Sequence, residues 1–355
     1  MKVSISYFEL LTTFRYLQPQ GFPAKGVKSK LVNFDLASWL AVAADLGVKR
    51  MRFFADLPYF WNPTTQRPKW DEKNSNLLYL RSPGGPNKWV WGEISPGFRS
   101  RIDDLVRIGR KNQIEYMICG ATQGPDYDCP FFSAMGYPDS KAYYDRANFP
   151  EYVASGAFAR LKQYYSDLWG LLSPYPARFK YAECYNEGDP GMEELKEFKP
   201  HKQALSLDMP FPIPPTVNIN ALRNLGVKRF VFHSVFTPAD ATSMVMQAKQ
   251  FGIAGSEIEL STDGATPWRN PNGSYRFTFM ERGGHYKVKP YWNHDEPGRY
   301  SAKVNKAGVI DAHKAIRDKV ADLGVAVMDF QHVLKWSQDP SWTNDAKDWV
   351  TALLS

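Results

Sequence analysis

Two spacings of apolar residues take turns along the chain. Short runs that alternate apolar and polar residues with a period of two occur at Val3 to Glu9, Arg50 to Phe54, Glu115 to Cys119, Phe179 to Glu183, Ala204 to Asp208, Arg229 to His233, Glu257 to Ser261 and Val325 to Phe330. That period puts successive side chains on opposite faces of a strand. Between the runs, apolar residues recur every three or four positions, which predicts helices over Leu36 to Leu46, Gly97 to Lys111, Tyr152 to Leu172, Val217 to Leu225, Pro238 to Phe251, Ala302 to Leu323 and Asn344 to Leu354. Strand and helix alternate along the whole length, the pattern of a parallel sheet with helical crossovers.

Three of the helical segments close on one phrase, Leu46-Gly47-Val48, Leu225-Gly226-Val227 and Leu323-Gly324-Val325, each directly before a strand run. Glycine takes the left-handed conformation that ends a helix, so the phrase reads as helix, stop, strand. Eight βα steps in 355 residues fit an α/β fold of the (β/α)8 TIM-barrel type with long loops, since such a barrel takes about 250 residues before insertions. A doubly wound open sheet is the alternative. It is disfavoured because no glycine-rich phosphate-binding turn follows the first strand. Apart from a Pro-rich loop at Pro210 to Pro215 no linker divides the chain, so residues 1–355 are expected to form one domain.

The long insertions follow strands: Ala55 to Ser95, Gly120 to Pro150, and Thr262 to Tyr300 with an apparent hairpin at Gly283-Gly284. In a barrel that elaborates the face at the C-terminal ends of the strands, where this fold carries its sites.

Composition narrows the class further. With 43% hydrophobic and 23% charged residues, disorder and fibrous repeats are excluded. The net charge of +7 is spread along the chain without a basic run or a basic amphipathic helix. It reads as a solvated surface that tolerates an acidic partner, and nucleic acid is not among the expected partners. Cys119, Cys129 and Cys184 form neither a disulfide framework nor a zinc spacing. No apolar run reaches membrane-spanning length, so no membrane partner is expected. Met1 to Glu9 runs directly into a strand pattern, so an extracellular location would require a leader that has been removed. Compartment and oligomeric state have no signal in the sequence. Aromatic residues, by contrast, reach 15%, with 11 Trp.

The stretch with most chemical content is Ala182-Glu183-Cys184-Tyr185-Asn186-Glu187-Gly188. Strand alternation puts Glu183, Tyr185 and Glu187 on one face, with Glu187 at the C-terminal end. A carboxyl there is costly to bury without a task or a partner. Its plainer reading is a loop cap or an arginine partner.

The phrase resembles the fourth strand of the barrel glycoside hydrolases of clan GH-A, which typically ends in aromatic-Glu-x-aromatic-Asn-Glu-Pro; here Gly188 stands where Pro is common. The resemblance implies a retaining hydrolase that cleaves β-glycosidic bonds in an oligo- or polysaccharide by a two-carboxylate double displacement, without a cofactor. Glu187 would be the general acid/base, and Asn186 would bond the sugar 2-hydroxyl. The clan's nucleophile is a Glu at the end of strand seven. Within Glu257-Ile258-Glu259-Leu260-Ser261-Thr262-Asp263 the choice is Glu259, which has apolar neighbours and is read as lying late in the strand, with Glu257 and Asp263 also open. By the same resemblance Arg52 would keep the nucleophile ionised, and His233 and Tyr185 would contact sugar. Trp61 and Trp292, with Trp70, Trp89, Trp91 and Trp268, fall in the post-strand loops, where flat rings stack on sugar faces. Arg52 also has a plainer reading as a barrel-bottom cation, and His233 as a hydrogen-bonded core residue.

Two other functions stay open. A non-catalytic glycan-binding barrel would keep the aromatic groove without the carboxylate pair. A metal-dependent barrel enzyme would draw on His294-Asp295-Glu296 with His285 or His332, but no HxH or HExxH spacing supports a metal site.

Overall fold

In the computed structural model the eight strand runs form one closed parallel barrel. The residues described are 1–7, 14–17, 30–33, 36–55, 60–62, 67–69, 79–81, 89–94, 96–122, 153–154, 157–186, 191–233, 235, 237–262, 266–269, 275–279, 301–304, 306–330 and 343–355. The barrel strands are β1 (Lys2–Tyr7), β2 (Arg50–Phe54), β3 (Glu115–Thr122), β4 (Phe179–Asn186), β5 (Ala204–Asp208), β6 (Val227–Phe232), β7 (Ile258–Thr262) and β8 (Val327–Phe330). Each pairs with the next in chain order, and β8 pairs back onto β1, so the barrel has no free edge.

Among the described residues a helix follows each strand: α1 (Leu36–Asp45), α2 (Pro96–Asn112), α3 (Ala157–Leu172), α4 (Met192–Phe198), α5 (Ile219–Asn224), α6 (Pro238–Gln250), α7 (Lys306–Asp322) and α8 (Thr343–Leu354). Only α4 has no counterpart in the periodicity. It is seven residues long and buries just Glu194, Leu195 and Phe198, too few apolar positions to register as a repeat. Its start is marked by Glu194, whose carboxylate accepts a hydrogen bond from Gly191 N at 3.0 Å.

The Leu-Gly-Val phrases act as expected. Gly47, Gly226 and Gly324 have φ of +84°, +104° and +72°. Past Gly47, Val48 N donates to Ala43 O at 3.0 Å, and past Gly324, Val325 N donates to Val320 O at 3.3 Å, which satisfies carbonyls left over at the helix end. A Cβ at Gly324 would meet nothing within 4 Å, so its cost is conformational alone. Gly324→Ala is therefore expected to lower stability by about 1–2 kcal/mol, read from the urea midpoint.

Several post-strand segments carry antiparallel pairs of their own: residues 60–62 with 67–69, 79–81 with 89–94, and 266–269 with 275–279. Trp61, Trp89, Trp91 and Trp268 lie on these ladders. Gly283-Gly284, Trp70 and Trp292 lie outside the described residues.

The pleat sorts each barrel strand into two sets. Met51, Phe53, Ile118, Ala182, Phe230, Leu260 and Met328 belong to the apolar core that joins the barrel to its helices. The alternate positions, Ser4, Arg50, Arg52, Glu183, Ser206, Glu259, Ser261 and Asp329, are at most 1% exposed. Barrel interiors are commonly filled by branched apolar residues. This one is built largely from charges and hydroxyls, and that places its chemistry.

Candidate functional site

Asn186 is the last residue of β4, and its backbone is in register with Thr122 at the end of β3, just as Tyr185 is with Ala121. The strand therefore runs three residues past Glu183, to the C-terminal rim of the barrel. Glu187 is the next residue in the chain and, like Trp292, lies outside the described residues. Asp208 closes β5, Thr262 closes β7, and His233 follows the last residue of β6, so these share the same rim.

Beneath the rim, side chains from non-adjacent strands meet. Arg52, from the middle of β2, donates through Nη2 to Glu183 Oε2 on β4. Its Nη1 lies 3.3 Å from His233 Nε2 beyond β6. A guanidinium has no acceptor, so His233 Nε2 accepts and the ring proton is on Nδ1. His233 Nε2 is also 3.5 Å from Asp208 Oδ1. Burial and the Arg52 charge hold the His233 pKa well below its ordinary value, so the ring is neutral. On the other flank of the pair, the Cys119 thiol, in register with Glu183, hydrogen-bonds the same carboxyl. Glu183, Arg52 and His233 thus form one chain of polar contacts from β4 through β2 to the end of β6, with the Asp208 carboxylate beside the ring.

A second pair lies nearer the N-terminal end. Arg50, the first residue of β2, donates through Nη2 to Glu259 Oε2 at 2.7 Å, and its Nε is 3.6 Å from Glu115 Oε1. Glu259 is fully buried and is the second of the five residues of β7, level with Val231 and Val327. The expectation that Glu259 lies late in its strand is thereby corrected. The strand begins one residue later than its periodicity suggests, because Gly255–Glu257 form a 3-10 turn. Glu257 is outside the barrel, bound by Arg223 at 2.7 Å. Asp263 directly follows Thr262 and lies outside the described residues.

The direct partner of Glu259 is Arg50, while Arg52 binds Glu183 and acts on Glu259 only through its charge. The period of two explains this. Both arginines point inward, one pleat apart, and each meets the carboxylate at its own height.

The carboxyls titrate differently. Burial pushes Glu183 up to about 7, against the opposing pull of Arg52. Burial also raises Glu259, but Arg50, Arg52 and Arg229 outweigh it and hold that carboxyl below the ordinary range. For Glu183 the folded chain binds the proton more tightly than the unfolded one. Its contribution to stability is present below about pH 4.5 and declines as pH rises through about 7. Glu259 has the opposite sign: its contribution is present at neutral pH and is lost in acid, as pH falls through its folded value. Glu183→Gln should therefore flatten the loss of stability between about pH 5 and pH 8, measured by urea unfolding of both proteins at each pH.

Arg50, Asp208 and Asp329 escaped the sequence reading. Asp329 Oδ2 accepts from Ser261 Oγ at 3.1 Å and borders both arginines electrostatically. The available signal was Arg50-Met51-Arg52-Phe53 itself, because two inward arginines in one strand require inward carboxylates on others. Among the described residues no three His, Cys, Asp or Glu side chains group as metal ligands. The His294, His285 and His332 alternative lies outside those residues. Also among the described residues, no helix is long and apolar enough to cross a membrane.

No family model matches the chain, and no curated protein matches it in sequence. Among solved structures it is similar to a variant of a glycoside hydrolase family 5 mannosidase from Rhizomucor miehei, with a TM-score of 0.50 and 11% identity over 99% of this chain and 92% of that one. It is likewise similar to a family 5 xyloglucanase from Paenibacillus pabuli, with a TM-score of 0.50 and 9% identity over 100% of this chain and 98% of that one. At such identities the likeness is one of fold, the closed eight-stranded parallel barrel with a helix after each strand.

Proposed function

We propose that the chain is a retaining glycoside hydrolase that cleaves β-glycosidic bonds in an oligo- or polysaccharide, with Glu187 as general acid/base. The observation that carries this reading is the position of Asn186, the last residue of β4 on the C-terminal rim, with Glu187 next in the chain. The names of the two similar folds, a mannosidase and a xyloglucanase, support the substrate class.

Glu187 gives its proton to the leaving glycosidic oxygen while a second carboxylate attacks the anomeric carbon. The bond to the leaving sugar breaks and a covalent glycosyl ester forms. Glu187, now ionised, takes a proton from water, which attacks the ester and releases the sugar. Asn186 bonds the 2-hydroxyl, and Tyr185, His233, Trp61 and Trp292 contact the sugar rings. Arg52, tied to Glu183 and His233, stiffens the floor beneath them.

For the attacking carboxylate, the burial of Glu259 against Arg50 weighs against it, because a nucleophile must meet the anomeric carbon. We assign that role to Asp263, the residue after β7. The test is release of reducing sugar from a panel that includes mannan and xyloglucan, by wild type, Asp263→Asn and Glu259→Gln at matched folded protein. Wild type is expected to cut at least one glycan, and Asp263→Asn to lose about 100-fold or more of that turnover. Loss of turnover in folded Glu259→Gln alone would return the nucleophile to Glu259. Glycan binding without any release by wild type would replace the hydrolase with a binding barrel.

A further inference from the structure

The pole of the barrel opposite the rim carries a one-sided charge. β4, β5 and β6 are consecutive in the barrel, so the segments that lead into them lie side by side on the N-terminal face, with strands about 4.8 Å apart. Those segments, residues 173–180, 199–203 and 225–228, contain Lys180, Lys199, Lys202 and Lys228, with His201, and no Asp or Glu. All four lysines are exposed, and none has a carboxylate within ion-pair distance among the described residues. The nearby acids are already occupied: Glu115 by Lys2 at 2.7 Å and Glu257 by Arg223 at 2.7 Å.

Helix ends account for only one of the four lysines, Lys199. Arg110, Lys111, Arg223 and Lys249 lie in last helical turns, where cations complement the helix dipole. Lys199 caps the C-terminal end of α4, while Lys180, Lys202 and Lys228 lie beyond the helix ends, where the dipole effect has faded. Nor is this pole an opening. Arg229 Nη2 donates to Tyr181 OH at 2.9 Å, its Nη1 to Ser256 O at 3.0 Å, and Arg50 lies over the Tyr181 ring, which closes the barrel from below. A closed, positively charged surface can dock a partner but cannot admit a substrate.

We propose that this lysine arc is a docking surface for a polyuronate, a polysaccharide with a carboxylate on each sugar. The choice of a glycan rests on the hydrolase reading; the charge geometry does not. A polyuronate repeats its charge on the scale of adjacent strands, and compact ammonium groups on flexible stems suit separated carboxylates. The planar arginine fork that favours phosphate is missing from the arc, because Arg178 is committed to Gly109 O and Ile114 O, each at 2.9 Å. A lipid surface also lacks its usual anchor, since no large apolar side chain is exposed in these segments. Docking here leaves the rim, at the far end of the barrel, free for a second glycan.

The test uses the full chain and measures retention on immobilised polygalacturonate at about 0.15 M salt, with phosphatidylserine vesicles and duplex DNA as competing probes. Wild type is compared with the combined Lys180→Gln, Lys199→Gln, Lys202→Gln, Lys228→Gln variant. A control variant carries Arg99→Gln, Lys162→Gln, Lys314→Gln and Lys347→Gln on helices. Polygalacturonate binding is expected to weaken by about tenfold or more in the arc variant and to change little in the control, which has the same net charge. Turnover of a small neutral glycoside by the arc variant is expected to match wild type, which separates this inference from the hydrolase reading. Absent retention of wild type, equal loss in both variants, or binding to vesicles or DNA as tight as to polygalacturonate would overturn the proposal.

Discussion

Glu187→Gln is expected to lower glycan turnover by about 100-fold or more, the usual worth of general acid–base catalysis, with the thermal midpoint nearly unchanged. The amide keeps the shape and polarity of the carboxyl and removes only the transferable proton. The loss should depend on the leaving group. An aryl glycoside with an acidic phenol leaves without protonation, so its first bond cleavage should suffer far less than that of a sugar leaving group. The glycosyl ester should then accumulate, because its hydrolysis still lacks a base. A burst of phenol followed by a slow steady rate is the expected record in stopped-flow absorbance. Equal turnover by wild type and variant on a natural glycan would remove Glu187 from the mechanism.

Arg50→Met is expected to cost about 3–5 kcal/mol, because it leaves Glu259 charged and buried without its partner. The partial contact with Glu115 at 3.6 Å does not help Glu259, since it belongs to the arginine that is lost. Combining Arg50→Met with Glu259→Leu removes both charges and should recover most of that loss, as replacement of a whole buried ion pair by apolar residues commonly does. The double-mutant cycle, read from urea denaturation, would show strong coupling between the two sites. Additive costs in the double variant would mean that the two groups do not depend on each other in the folded protein.

The barrel was legible because its signals are local. Each strand announces itself within a few residues, and Gly47, Gly226 and Gly324 mark three helix ends by the one residue that tolerates their backbone. Residue 183 was legible as inward because alternation is also local. What it faces was not, since nothing near Glu183 in sequence points to Arg52. The height of Glu259 in its strand was misjudged for a related reason. A shift of one residue at the start of β7 moves a side chain from the rim toward the floor, and the three-residue turn that causes it has no apolar period. The surplus of Trp in post-strand segments is plain from the sequence, while the partner of each ring depends on how those segments meet.

The two inward arginines of β2 have a consequence for how the chain can be divided. Arg50 and Glu259 are 209 positions apart, and Arg52 and Glu183 are 131 apart. A fragment ending after β4 would contain both arginines but only one of their carboxylates, so one cation would face a half-built interior. A fragment starting at β5 would hold Glu259 with no arginine from β2. Neither half neutralises its own interior, and a half-barrel of this chain is expected to be unstable alone. Co-expressed halves would regain stability only where they find each other, which makes fragment complementation a direct readout of whether the barrel is closed from within by charge.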